Sequence, residues 1–237
     1  MQPPAGEPTW LDLYDYRERT ARLYREREAA QQRGRAPATT LALFRAAKDA
    51  LFRAHPQSAL PRDARAEFAG LRYFAYAPDL VIQATLTPLP PEHQTEVAAP
   101  SSGPHAMPLR RAASVRFSLD GTQRELTVFW IDVYGGGLFL PFRDATSAHE
   151  TYGAGRYLFD TVKGSSFTRL GTPPDDGDRT IMGYPGGVVL LDFNYAYNPS
   201  CCYDTRWACP LAPRENWLDA PIRAGERDYH AADLNVQ

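Results

Sequence analysis

The sequence predicts a mainly β protein, an antiparallel β-barrel or sandwich with an N-terminal segment of two helices packed against it. Three observations carry that expectation. Short apolar or β-branched runs bounded by turn residues recur from residue 68 onward, with no helical pattern between them, whereas a parallel α/β sheet places a helix between successive strands. Two of those runs, Val115-Phe117-Leu119 and LTVFWIDV (126–133), flank Asp120-Gly121, a residue pair suited to a tight β-hairpin turn. Helical periodicity is confined to residues 9–55.

In chain order, residues 1–8 are proline-rich and predict a disordered start, and residues 9–237 predict a single domain: helical over 9–55, barrel or sandwich with a long C-terminal loop over 68–237. Thr9 is placed to cap a first helix. In it Trp10, Leu13, Tyr14, Arg17, Ala21 and Tyr24 form a stripe, and Glu18, Arg22 and Glu26 form a solvated opposite face. Gly34 and Pro37 end that helix. Thr39 or Thr40 is expected to cap a second, with Leu41, Phe44, Leu51 and Phe52 on its buried side. It stops at His55-Pro56, because proline disfavours helical geometry in the residue before it, and His55 reads as a terminal cap. Strands are expected at LRYFAY (71–76), LVIQATLT (80–87), the two hairpin arms, GLFLPF (137–142), GRYLFD (155–160), an IMG segment near 181 and VVLLDFN (188–194). The second hairpin arm is apolar on both faces and belongs inside the sheet. Residues 88–108, rich in proline and serine, read as a loop that exposes His93 and His105.

Composition narrows the function classes. The formal charge of −2 lacks the concentrated basic face that non-specific nucleic-acid binding needs. Of the 26 basic residues only Lys48 and Lys163 are lysine; the arginines are scattered among acids, which fits codon usage better than a recognition surface. No run reaches the roughly 18–20 apolar residues of a membrane helix. The first twenty residues lack the pattern of a signal peptide, so the expected address is cytoplasmic. Three cysteines without framework spacing agree with a reducing compartment.

Candidate chemistry gathers late in the chain. P-loop and G-x-S-x-G signatures are absent. His149-Glu150 lacks the second histidine of a zinc-protease helix, since position 153 is glycine, and Gly153-Ala154-Gly155 reads as a turn. Cys201, Cys202 and Cys209 admit four readings: a metal site completed by His149 or His230, a Cys201–Cys209 disulfide, a thiolate activated by Arg206 or Arg214, or plain packing of a rigid loop. Their spacing is wider than ordinary zinc pairs and favours packing. No metal or other cofactor is expected. Two polar clusters stand at strand ends, one of Asp144, Thr146, His149, Glu150, Tyr152 and Arg156, the other of Asp192, Asn194, Tyr197 and Asn198. Asp192 and Asn194, two apart on a strand, are expected on one face, with Arg156 the natural partner of a carboxylate.

The runs PFRDATSAHETYGAGRYLFD (141–160) and LLDFNYAYNPSCCYDTRWACPLAPRENWLDAPIRAGE (190–226) resemble a family of uncharacterised prokaryotic proteins, domain of unknown function 1684. The matching positions are Asp144, Thr146, Glu150, Tyr152, Gly155, Arg156, Asp192, Asn194, Tyr197, Asn198, Cys201, Cys209, Glu215, Asn216, Gly225 and Glu226, with a looser match through FAGLRYFAY (68–76). Two departures stand out: Ala148 where the family pattern has glycine, and Cys202 where it has alanine. The resemblance implies where a site lies and brings no activity with it.

Two functions are therefore expected in competition. The first is a barrel that binds a small polar or amphipathic molecule through Asp144, Tyr152, Arg156, Asn194, Tyr197, Asn198, Cys201, Cys209, Glu215 and Asn216, with Arg156 holding an anionic group and rings such as Trp130 as walls. The second is a hydrolase or isomerase with Glu150 or Asp192 as general base. A third, an interaction module without a pocket, predicts polar clusters that satisfy one another.

Overall fold

The computed structural model describes residues 7–166, 168–169 and 187–230, and every structural statement below concerns those residues. Two helices, α1 (Trp10–Gln32) and α2 (Pro37–Ala54), precede eight strands: β1 (Val81–Pro88), β2 (Glu96–Ala99), β3 (Met107–Leu119), β4 (Thr122–Ile131), β5 (Leu138–Phe142), β6 (Arg156–Asp160), β7 (Thr168–Arg169) and β8 (Gly187–Asp192). Seven of them pair in the order β6-β5-β4-β3-β1-β8-β7, every pair antiparallel, and β2 lies on β3 beside the end of β1. The sheet curls into a half-barrel, so the fold is mainly β with two N-terminal helices.

The hairpin of β3 and β4 is the longest pairing and forms where expected. Asp120 and Gly121 both take positive φ, 50° and 74°, the geometry that matches strand twist in a two-residue turn. Alternate residues Val115, Phe117 and Leu119 of β3, with Leu126 and Val128 of β4, point inward to the main core. That core is closed by the irregular C-terminal segment, whose Leu218, Ile222 and Ala224 pack into it.

Several local expectations are corrected. LRYFAY (71–76) is an extended segment with one isolated bridge, Tyr73 to Glu226, because Phe74 and Arg72 spend their backbone bonds on Gly225 and Arg227 instead of a sheet neighbour. The 88–108 loop contains β2. Pro37 opens α2 at its first turn, so neither Thr39 nor Thr40 caps it. Thr9 does cap α1, in a reciprocal capping box with Asp12. Of the stripe expected on α1 only Tyr24 is buried, and Trp10 stands 85 % exposed, because the sheet meets only the helix's second half. Asp192 ends β8, and Asn194 lies in the 3-10 turn Phe193–Tyr195 that follows, so the two do not share a strand face. The IMG segment near 181 and residues 1–6 lie outside the described residues.

Candidate functional site

The structure puts the expected polar residues to work on the backbone. Arg156, almost wholly buried at the start of β6, gives one terminal nitrogen to Asp144 Oδ2 (2.9 Å) and the Ile222 carbonyl (2.7 Å), and the other to the carbonyls of Ala224 and Glu226. Asp144 Oδ1 accepts from Thr146 N and Oγ1, at 2.8 and 2.6 Å, and from Ile222 N. The pair thus fastens the Asp144–Thr151 turn and the C-terminal segment to the sheet. Both terminal nitrogens of Arg156 are thereby committed to the protein itself, and its buried Nε has no hydrogen-bond partner.

Glu150 is likewise engaged at the surface, paired with Arg223 at 2.8 Å. Asn194 and Asn216 act as substitute strands. The side chain of Asn194 accepts from Ala77 N and donates to Ala77 O (2.8 and 2.9 Å), and that of Asn216 does the same with Thr127 at 2.8 Å each way. Glu215 takes Arg111 in a two-point ion pair at 2.8 and 2.9 Å. Asp192 Oδ1 accepts from the backbone and side chain of Asn194; burial raises its carboxyl above the ordinary carboxylate value, which the hydrogen bonds from Asn194 and the charges of Arg27 and Arg45 only partly oppose. The two polar clusters join only in part. Glu226 connects Arg156, through its carbonyl, to Asn198, whose N–H donates to its carboxylate, while Asp192 and Asn194 stay with Ala77.

What the structure does assemble is a cavity of about 60 Å³ between the helices and the sheet edge. Tyr24, Phe44 and Phe52 supply apolar wall, and Lys48, Lys163, Ser165, Tyr197, Asn198 and Ser200 supply polar wall. Its volume admits on the order of four waters, or a small molecule of comparable size, at about 10–15 Å³ for each water. Lys48 enters it because it lies four residues from Phe44 and four from Phe52, in the middle of the buried stripe of α2. Its ammonium pairs with the buried Glu226 carboxylate at 2.6 Å and sits 4.6 Å from the centre of the Tyr197 ring. Glu226 also accepts from Tyr203 Oη (2.6 Å) and Asn198 N (2.8 Å).

Lys163 reaches the cavity from the other side. Asp160 ends β6 and accepts from Val162 N, which turns the chain through Thr161–Lys163. Gly164 follows at φ 83°, where a Cβ would stand 2.8 Å from Arg17 O, so this turn lies directly against α1. Burial raises the Asp160 carboxyl, and Lys163, 3.8 Å away, opposes that rise.

Two residues that line the cavity have acceptor capacity to spare. Asn198 is buried; its Nδ2 donates to Arg227 O at 2.8 Å, and its Oδ1 has no hydrogen-bond partner. Ser165 Oγ donates to Asp160 O, so in its 2.8 Å contact with Tyr197 the tyrosine is the donor, leaving the Tyr197 oxygen free to accept. Buried oxygen without a donor is uncommon in folded proteins and marks a place where something polar belongs.

A larger groove, about 670 Å³, runs along the outer side of α1 and α2. It is shallow, and its charges answer one another: Asp15 pairs with both Arg19 (2.7 Å) and His55 (3.0 Å). His55 Nδ1 accepts from Gln57 N, so its other nitrogen carries the proton given to Asp15. Lacking unmet buried groups, that groove is the weaker candidate.

The cysteines are free and buried. Cys201 N–H points to Cys209 Sγ (3.3 Å) and Tyr152 Oη to Cys201 Sγ (3.7 Å), while Cys202 faces away, toward Asp228. Arg206 and Arg214, expected as activating cations, are taken up elsewhere: Arg206 by Asp204 and the carbonyls of Ser58 and Leu60, Arg214 by the Trp217 ring. Among the described residues no group of three or more cysteine, histidine or acidic side chains is arranged to hold a metal ion.

Of the residues singled out from sequence, Tyr197 and Asn198 reach the cavity. Lys48, Lys163 and Ser165 were not singled out. The available signal was compositional: a chain with two lysines among 26 basic residues presents both to one cavity, where a compact ammonium with rotatable donors does what a planar guanidinium does not.

Fold and site together define a class, a half-barrel of antiparallel strands whose edge is covered by a helical pair over a small polar cavity. The chain belongs to the family described as protein of unknown function (DUF1684), whose model matches residues 66–227. It is also similar to the solution NMR structure of an uncharacterized protein of Haloarcula marismortui, with 32 % sequence identity, a TM-score of 0.53, and coverage of 83 % of this chain and 95 % of that one. Comparison with curated proteins gives no match. No described helix is long and apolar enough to cross a membrane.

Proposed function

We propose that this protein binds a small amphipathic molecule in the cavity between the helices and the sheet edge. The observation that carries the reading is the pair of under-used acceptors, Asn198 Oδ1 and the Tyr197 oxygen, beside the chain's only two lysines. Lys48 gives one donor to Glu226, which leaves two of its three for a guest. The occupant is therefore a compound with an acceptor or carboxylate for the ammonium groups, a donor for Asn198, and a short apolar body against Tyr24, Phe44 and Phe52. Short hydroxy acids and acid amides have that chemistry. Binding without transformation is favoured because the site presents no nucleophile held by a base and an orienting group, and neither Glu150 nor Asp192, the acids expected to act as base, lines it.

The test is thermal denaturation in the presence of lactate, 3-hydroxybutyrate and propionamide. The expected outcome is a concentration-dependent rise in Tm that is weakened in Lys163→Gln and absent in Leu23→Trp, which fills the cavity from α1. Equal shifts in wild type and Leu23→Trp would place the ligand elsewhere, and no shift with any of the three would refute the stated chemistry.

A further inference from the structure

We propose that Cys201 and Cys209 are an oxidisable pair that closes to an intrachain disulfide on exposure to a peroxide, and that the adjacent Cys202 takes no part. The argument begins with placement. The 3-10 turn Ser200–Cys202 brings Cys201 back over the chain at Cys209, so that the Cys201 N–H meets Cys209 Sγ at 3.3 Å. Cys209 is fixed from the other side, its N–H donating to Ser102 Oγ at 2.9 Å. Cys202, next in sequence, points into the cluster of Phe52, Leu60, Phe68 and Tyr203.

The surroundings also divide the three thiols by chemistry. Donors from Cys209, Ser102 and Tyr152 favour the thiolate of Cys201 and hold it below the ordinary thiol value despite burial, whereas burial pushes Cys202 well up. The thiolate is the nucleophile in such chemistry, so Cys201 attacks first. Its sulfur displaces water from hydrogen peroxide, after protonation of the leaving hydroxide, and becomes a sulfenic acid. The Cys209 sulfur then attacks that sulfur, the second water leaves, and the disulfide forms. Two thiols are oxidised, one peroxide is reduced to two waters, and the balance is complete. Cys201 is 7 % exposed, an opening that suits a peroxide better than a bulky disulfide.

Oxidation here has a path to the cavity, because Ser200, in the same turn as Cys201, and Asn198, two residues before it, line it. That consequence rests on the binding reading above; the disulfide does not.

The experiment is a hydrogen peroxide titration of the purified full-length chain, followed by alkylation with N-ethylmaleimide in denaturant, intact mass measurement and peptide mapping. The expected product has lost two hydrogen atoms and carries a single alkylated thiol, on Cys202, with a Cys201–Cys209 crosslinked peptide that dithiothreitol returns to three free thiols. Cys209→Ser is expected to stop at a Cys201 sulfenic acid that dimedone traps. Should that variant not fold, native alkylation of wild type gives the same discrimination, with Cys201 reacting at least tenfold faster than Cys202. Oxidation of Cys202 first, crosslinks only between chains, or three thiols still free in excess peroxide would each overturn the proposal.

Discussion

Buried charge has two fates in this molecule, and the difference lies in what else each group touches. Arg156 and Asp144 are hidden together, and apart from the unpartnered Arg156 Nε their hydrogen-bonding groups meet carbonyls, the Thr146 hydroxyl and backbone N–H groups, the condition under which a desolvated pair is tolerated. Asp192 has no cation at contact distance. Burial sets the direction of its shift, and its native carboxyl titrates above the ordinary 3.8. The sign follows from linkage: a group whose native value is raised contributes stability that is complete below the unfolded value and is lost as pH rises through the native one. Asp192→Asn, which keeps an oxygen for Asn194, removes that loss. In urea titrations upward from pH 4 the variant's stability relative to wild type is therefore expected to increase with pH and then level off once the native carboxyl is ionised. Asp160 and Asp49 are raised as well and remain in both proteins, so the difference isolates Asp192; parallel curves would show that its burial costs nothing.

At the scale of elements, the turn from Asp144 to Thr151 shows a local conformation at odds with its residue. Ala148 has φ 68°, a region that costs an L-residue roughly 1–2 kcal/mol, at the position where the resembling family pattern has glycine. Restoring glycine removes that strain and adds back about 0.4–1 kcal/mol of unfolded-chain entropy. Ala148→Gly is thus expected to stabilise the protein by up to about 1 kcal/mol, a rise in Tm of roughly 2–4 °C for a chain of this size; a fall in Tm by differential scanning fluorimetry would contradict it. The same scale explains what was legible in advance. The hairpin of β3 and β4 was, because alternation and turn chemistry are local. The 71–76 segment was not, since whether an aromatic run pairs as a strand depends on Gly225 and Arg227, some 150 residues away. The polar motifs were legible as important, but their backbone partners were not: Asn194 and Asn216 look like recognition side chains in sequence and serve as surrogate strand partners in the fold. Lys48 lies in the same stripe as Leu41, Phe44 and Phe52, and only its contact with Glu226, 178 residues on, shows its role.

At the scale of the whole molecule, Glu226 is where the layers meet. Its carboxylate takes Lys48 from α2, Tyr203 and Asn198 N–H from the loop after β8, and its backbone N–H donates to Ala196. The family match begins at residue 66, so the helical pair lies outside the matched span and yet supplies a cation, Lys48, for a carboxylate inside it. That dependence predicts strong coupling between the two parts of the chain. Lys48→Met keeps the stem that packs near Phe52 and leaves Glu226 buried with hydroxyl and amide donors alone, a loss of about 3–5 kcal/mol. Glu226→Gln leaves Lys48 without its counter-ion, but the Lys48 side chain is 14 % exposed and can turn toward water, so the cost is smaller. The double variant removes both charges and is expected to be more stable than Lys48→Met alone, with an interaction free energy on the order of 1–3 kcal/mol across the cycle. Urea denaturation of the four proteins, followed in parallel by helical circular dichroism and tryptophan fluorescence, measures it. Additive losses would mean that the helices and half-barrel are held by apolar contact alone, and separate transitions for the two signals would mean that Glu226 does not bind them into one cooperative unit.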